Sequence, residues 1–166
     1  RYWNKVAVAP NDLRTKIYEL IDNEIENQKA GKKGRIIMKA NSLTDKEMIE
    51  KLYDASRIGV EVKLVIRGAC SLKVGIKDIS ENIEVFSIVG RYLEHSRIYY
   101  FENDGESKIY LSSADLMSRN LDRRIEIMFP VEDENLKEQI VKILELNLTD
   151  NVKRRILEPD GTYRNS

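Results

Sequence analysis

The sequence predicts one α/β domain built on a mixed β-sheet flanked by helices, and two observations carry that. The first half alternates helical and strand periodicities in the order α-β-α-β, which favours helices packed on a partly parallel sheet. The second half strings strand-like runs together, two of them joined across an Asp-Gly turn, which adds antiparallel pairing to the same sheet.

The elements follow in order. "NDLRTKIYELIDNEIENQKAG" places Leu13, Ile17, Leu20, Ile21 and Ile25 at helical spacing, with Asn11 or Asp12 to cap its start and Gly31 to end it. "GRIIMKAN" reads as a strand. "TDKEMIEKLYDASRIG" reads as a second helix, with Thr44 and Glu47 spaced as a capping box and Gly59 as its stop. "VEVKLVIRG" is a strand that sets Val60, Val62, Leu64 and Ile66 on one face. "NIEVFSIV", "SRIYYFEN", "KIYLSS" and "RRIEIMFPV" are the later strands. In the last, Ile125, Ile127 and Phe129 share one face, and Arg124 and Glu126 the other. "ENLKEQIVKILELNL" closes as a helix, and the tail "DNVKRRILEPDGTYRNS" is polar, its end expected to be mobile.

Composition narrows the function classes. Of 166 residues, 42% are hydrophobic and 34% charged, the balance of a folded soluble domain. No apolar run approaches the ~18 residues that span a bilayer. A single cysteine, Cys70, excludes an internal disulfide and has no companion ligands for zinc. Lys plus Arg number 28, as do Asp plus Glu, so no broad basic surface for nucleic acid is expected. Any anion site must rest on particular arginines. "AGKKG" lacks the spacing of a phosphate-binding P-loop, and "NLT" at Asn147 is a sequon with no other sign of secretion.

Chemistry concentrates between Gly90 and Ile127. His95, the only histidine, shares strand parity with Arg97, so an extended backbone turns both to one side. Taken alone, His95 reads more readily as a surface or hydrogen-bonded structural residue, and its context shifts that reading. "SSAD" ends a later strand, and the hairpin brings Ser113 and Asp115 alongside. A base, a cation and hydroxyls converging at strand ends suit phosphoryl chemistry. Arg67 ends its strand where open α/β sheets gather ligands, and Gly68 behind it leaves room for a close backbone approach. Arg124 is the member of the Arg123–Arg124 pair placed for anion binding. Glu126 is placed to pair with it or to orient a base.

His95-Ser-Arg97, Ser112-Ser113-Ala114-Asp115 and Glu126 resemble a variant of the phospholipase D superfamily motif HxK…GSxN…E, with Arg for Lys, Ser for Gly and Asp for Asn. An Asp beside a phosphate needs a neutralising Arg or Lys. The longer strings "IIMKANSLTD", "LVIRGACSLKVG", "SENIEVFSIVGRYLEHSRIYYFENDGESKIYLSSADLMSRNLDRRIEIMFPV" and "DGTY" resemble the C-terminal catalytic region of bacterial polyphosphate kinase. That resemblance covers nearly the whole chain. It departs at Leu116, where the family usually has Trp, and at Ala69 and Ser71.

The resemblance implies a phospholipase D-like domain over 1–166, one part of a longer multidomain enzyme, as the opening Arg1 without a methionine also suggests. It implies reversible transfer of the γ-phosphate of ATP to inorganic polyphosphate through a phosphohistidine on a preceding domain. His95 then matches a general acid/base, and Arg67 and Arg124 match phosphate ligands. Arg97, Ser113, Asp115 and Glu126 are supporting residues, and Asn41 sits in a matching string without an assigned role. Mg²⁺ is expected with the ATP, its protein ligands mainly outside this chain. The expected partners are ATP or ADP, polyphosphate, the upstream domains and further copies of the whole enzyme, with no nucleic acid. The expected place is the cytoplasm, free or held peripherally at a membrane. Two alternatives stand beside this reading: a phospholipase D-type phosphodiesterase or nuclease half-site in which His95 is the nucleophile, and a non-catalytic polyphosphate-binding module.

Overall fold

The computed structural model describes residues 7–8, 12–88, 97–150 and 154–165. The strands are β1 (Ala7–Val8), β2 (Arg35–Ala40), β3 (Glu61–Ile66), β4 (Ile83–Ile88), β5 (Arg97–Phe101), β6 (Lys108–Ser112), β7 (Ile127–Pro130), β8 (Arg154–Leu157) and β9 (Tyr163–Asn165). The helices are α1 (Leu13–Lys29), α2 (Lys46–Ile58), α3 (Ser118–Asp122) and α4 (Glu134–Thr149). Among the described residues all nine strands form one sheet, in the order β1-β7-β6-β5-β2-β3-β4-β8-β9. β2, β3 and β4 are parallel, and every other pairing is antiparallel.

Strand alternation divides the core into two layers. Met38, Val62, Leu64, Val85, Tyr99 and Phe101 face α1 and α2. Ile37, Val65, Phe86, Ile98 and Ile109 face α4 through Ile140, Leu144 and Leu148. Val60, Val62, Leu64 and Ile66 all lie fully buried in the first layer, as their spacing requires. Glu24 of α1 is buried with them and accepts the amides of Arg35 (3.0 Å) and Asn103 (2.8 Å), which tie α1 to the sheet. Burial raises its carboxyl despite those two bonds.

Several elements differ from expectation. The cap of α2 is Asp45, not Thr44: its carboxylate accepts the Met48 amide at 2.7 Å. Asp12 occupies the N-cap of α1 without a side-chain bond, and Asn11 lies outside the described residues. Gly59 does end α2, in the left-handed region at φ 109°. β7 begins at Ile127, four residues later than the alternation suggested, because 123–126 form the exit from α3. The face assignment inverts in consequence: Met128 is buried, and Ile125 is 85% exposed. The tail is not loose over 154–165, where it folds as the β8–β9 hairpin on the edge of β4. Asn147 of the sequon lies within α4 with its amide nitrogen buried. No helix among the described residues is long and apolar enough to cross a membrane.

Asp45 also joins three helices. It accepts Arg14 of α1 at 2.8 and 2.7 Å and the Ser118 hydroxyl of α3 at 2.7 Å. Burial pushes its carboxyl upward, but the bonds from Arg14, Ser118 and the Met48 amide outweigh burial and bring it down to about 2. A depressed carboxyl adds stability above its unfolded value and loses it as pH falls through its folded value. Unfolding free energy is therefore expected to decline by about 2 kcal/mol as pH falls from ~4 to ~2. Asp45→Asn, followed by urea denaturation across that range, should flatten this part of the decline.

Candidate functional site

The topology gathers the sequence-marked residues at one end of the sheet. β2, β3 and β6 run towards that end, while β5 and β7 start from it. Asn41 follows β2, Arg67 follows β3, Arg97 opens β5, Ser113 and Asp115 follow β6, and Arg124 and Glu126 precede β7. His95 lies outside the described residues, two positions before Arg97.

Asp115 organises this edge. Its carboxylate is 6% exposed and accepts Arg97 Nε at 3.1 Å and Nη2 at 3.0 Å, a two-point pairing. Its Oδ1 also takes the Asn41 amide at 2.8 Å. Arg97 is thus held in an internal ion pair, which raises its guanidinium through the Asp115 hydrogen bonds against the opposing effect of burial. Arg97 is thereby the cation that neutralises Asp115.

Backbone bonds lock the neighbouring segments. The Gly68 amide donates to the Asn41 carbonyl at 2.6 Å, and Leu43 forms β-bridges to Cys70 on one side and Leu116 on the other. A Cβ at Gly68 would lie 3.0 Å from the Asn41 carbonyl oxygen and 3.3 Å from Ser42 Oγ. The room that Gly68 leaves is therefore used by the chain itself. The Ser113 amide donates to the Ile127 carbonyl at 3.1 Å, and its Oγ accepts the Ile127 amide at 3.1 Å, leaving its own hydroxyl hydrogen to donate. Ser112 is buried and bonds the Ile127 carbonyl and the Ala114 amide, shaping the turn.

Glu126 is half-buried and accepts Asn120 Nδ2 at 3.2 Å. It does not pair with Arg124, because strand parity fails in the α3 exit. Arg67 and Arg124 are both exposed, and their guanidinium groups form no ion pair or hydrogen bond among the described residues. Arg67 extends from β3 and Arg124 stands in the α3 exit ahead of β7, two strands that lie four spacings apart, roughly 19 Å, in the order β7-β6-β5-β2-β3. The Arg97–Asp115 pair lies between them.

The donor set does not fit a resident metal. Among the described residues no group of three or more His, Cys, Asp or Glu could hold one, and Arg97 occupies both oxygens of Asp115. Cys70 is half-buried, and burial pushes its thiol upward, away from nucleophilic use. A cavity of about 550 Å³ lies at the opposite end of the sheet, beside Lys32, Lys33 and Lys63. Those lysines are paired with Asp104, Glu61 and Glu84 respectively, so the cavity offers no free cationic surface. Sequence reasoning missed α3, whose five residues are too few to show a period, and with it Asn120.

Comparison with known proteins agrees with this architecture. Residues 6–166 match the family model described as Polyphosphate kinase C-terminal domain 2. A polyphosphate kinase of Bacillus cereus is 54% identical over 162 residues, covering 98% of this chain and 23% of that protein. One of Staphylococcus haemolyticus is 55% identical over 161 residues, covering 97% and 22%. The crystal structure of polyphosphate kinase from Porphyromonas gingivalis matches with a TM-score of 0.93 at 43% identity, over 96% of this chain and 24% of that one. Nuc, a phospholipase D family member from Salmonella typhimurium, matches with a TM-score of 0.67 at 18% identity over 92% of this chain and 96% of its own, a likeness of fold alone. The chain thus spans less than a quarter of the curated relatives it matches. On the family match over nearly its whole length, the chain belongs to the family of polyphosphate kinase C-terminal domain 2, on a phospholipase D-like fold.

Proposed function

We propose that this chain supplies half of a site that moves phosphoryl groups reversibly between ATP and inorganic polyphosphate. The observation that carries the reading is the pair of uncompensated guanidinium groups, Arg67 and Arg124, on the same sheet edge. Guanidinium is suited to two-point recognition of phosphate oxygens. Two of them about four strand spacings apart suit an extended polyanion better than a single small anion. The one carboxylate buried between them, Asp115, is neutralised by Arg97, so it does not repel a phosphate chain.

In this reading the bond from the γ-phosphorus to the bridging oxygen of ATP breaks as phosphorus bonds to an imidazole of a preceding domain. ADP leaves. A terminal oxygen of polyphosphate then attacks the phosphorus and frees the imidazole. His95 carries a proton at the departing or attacking oxygen. Arg67 holds nucleotide phosphates, Arg124 holds phosphates of the chain or nucleotide, and the Ser113 hydroxyl donates one further hydrogen bond. Mg²⁺ belongs to the nucleotide complex, and no step is assigned to a metal on this chain. The upstream domains of the same polypeptide complete the site, and the whole enzyme assembles from several copies in the cytoplasm.

In the whole polypeptide that carries this domain, Arg67→Ala, Arg124→Ala and His95→Ala should each lower polyphosphate synthesis at least ~10-fold with unchanged melting temperature. Normal rates in all three would remove the assignment. Each arginine variant should also reduce the dependence of log affinity on log salt by roughly 0.7, the share of one phosphate contact on a single-stranded polyanion. The chain of 166 residues by itself should make no polyphosphate from ATP, which a labelled-ATP incorporation assay decides. Asp115→Ala should behave differently from the arginine variants: it removes the two-point carboxylate pairing of the part-buried Arg97, and about 3 kcal/mol of stability should be lost in chemical denaturation.

A further inference from the structure

A helix as short as α3, with five residues, cannot sustain itself. It is held by Leu121, which is fully buried, and by polar ties at both ends. At its start Ser118 Oγ donates to Asp45 Oδ2 at 2.7 Å. At its end Asp122 accepts Arg14 Nε at 3.0 Å and Nη2 at 2.8 Å. The same guanidinium gives Nη1 and Nη2 to Asp45 at 2.8 and 2.7 Å, and Nη1 to the Tyr18 hydroxyl at 2.9 Å. Arg14 is therefore inserted between α2 and α3, with two carboxylates on one planar fork.

The far side of α3 leads into the phosphate edge. The amides of Arg123 and Arg124 both donate to the Arg119 carbonyl, at 3.1 and 2.9 Å, so the backbone of Arg124 hangs from α3. Asn120, nearly buried, holds Glu126. We propose that Arg14 is a positioning residue of the phosphate site: through Asp122 it fixes α3, and α3 sets where Arg124 and Glu126 stand. This rests on the reading of Arg124 as a phosphate ligand. A purely structural Arg14 would matter to stability and leave substrate affinity unchanged.

Asp122 is the place to test it, because its side chain is 48% exposed and its removal leaves the Arg14–Asp45 pair intact. The experiment uses the whole polypeptide, with KM for polyphosphate, kcat and melting temperature measured for Asp122→Ala, Arg124→Ala, Arg67→Ala and the double variants. Asp122→Ala should raise KM about 5-fold with kcat changed less than ~2-fold, the effect of one weakened charge-assisted hydrogen bond. In the Arg124→Ala background it should add nothing further, whereas with Arg67→Ala the two effects should multiply. An unchanged KM in Asp122→Ala, with or without a lowered melting temperature, overturns the inference. So does a full multiplicative effect with Arg124→Ala. A silent Arg124→Ala overturns both this inference and the assignment of Arg124 as a phosphate ligand, while an impaired Arg124→Ala beside a silent Asp122→Ala overturns this inference alone. Should Asp122→Ala fail to fold, Asp122→Asn, which keeps the shape and loses the charge, takes its place under the same criteria.

Discussion

The sheet edge depends on one carboxylate. Removing Asp115 from water is costly unless charge and hydrogen bonds meet it, and Arg97 and the Asn41 amide do so. Its partners come from the start of β5 and the end of β2, while Asp115 itself follows β6. Three segments distant in the chain are therefore closed on one another at the point where the β2–β3 side of the site begins. Leu43, bridged to Cys70 and Leu116, and Gly68, pressed against the Asn41 carbonyl, carry the closure outward to Arg67. The arginines proposed as phosphate ligands, Arg67 and Arg124, stand outside this knot.

That division bears on how a chain with no net charge would offer the proposed anion site. The cations at the opposite end of the sheet, Lys33 and Lys63, are each matched to a carboxylate, as is Arg35 through Glu61 and Glu145. At the candidate-site edge Arg97 is matched as well, and Arg67 and Arg124 have no ion-pair partner among the described residues. Overall neutrality reflects pairing elsewhere, and the local field follows the unmatched residues.

Much of the fold was legible because the strands are buried on alternate sides and obey period two. The run from Val60 to Ile66 is the clearest case. Legibility failed where local pattern and tertiary context diverged. Arg123 to Ile127 alternate like a strand, yet Arg123, Arg124 and Glu126 are held by Arg119 and Asn120 of a helix too short to announce itself. The tail is polar because it forms an outer hairpin, and polarity alone cannot distinguish an edge strand from a loose end. At the site, parity gave the side on which Arg97 lies. It could not reveal that Asp115, eighteen positions later, already holds the guanidinium. The resemblance to the phospholipase D motif pointed to the partnership more directly, since an Asp in that position called for a neutralising cation.

The spacing of Arg67 and Arg124 has a consequence for how the proposed substrate is held. A polyanion long enough to reach both makes its second contact intramolecularly, at the high effective concentration set by the linking chain. One end can be released while the other stays tethered, so a long product slides and rebinds before it escapes. A fragment too short to reach both arginines gains no such avidity and departs after a single dissociation.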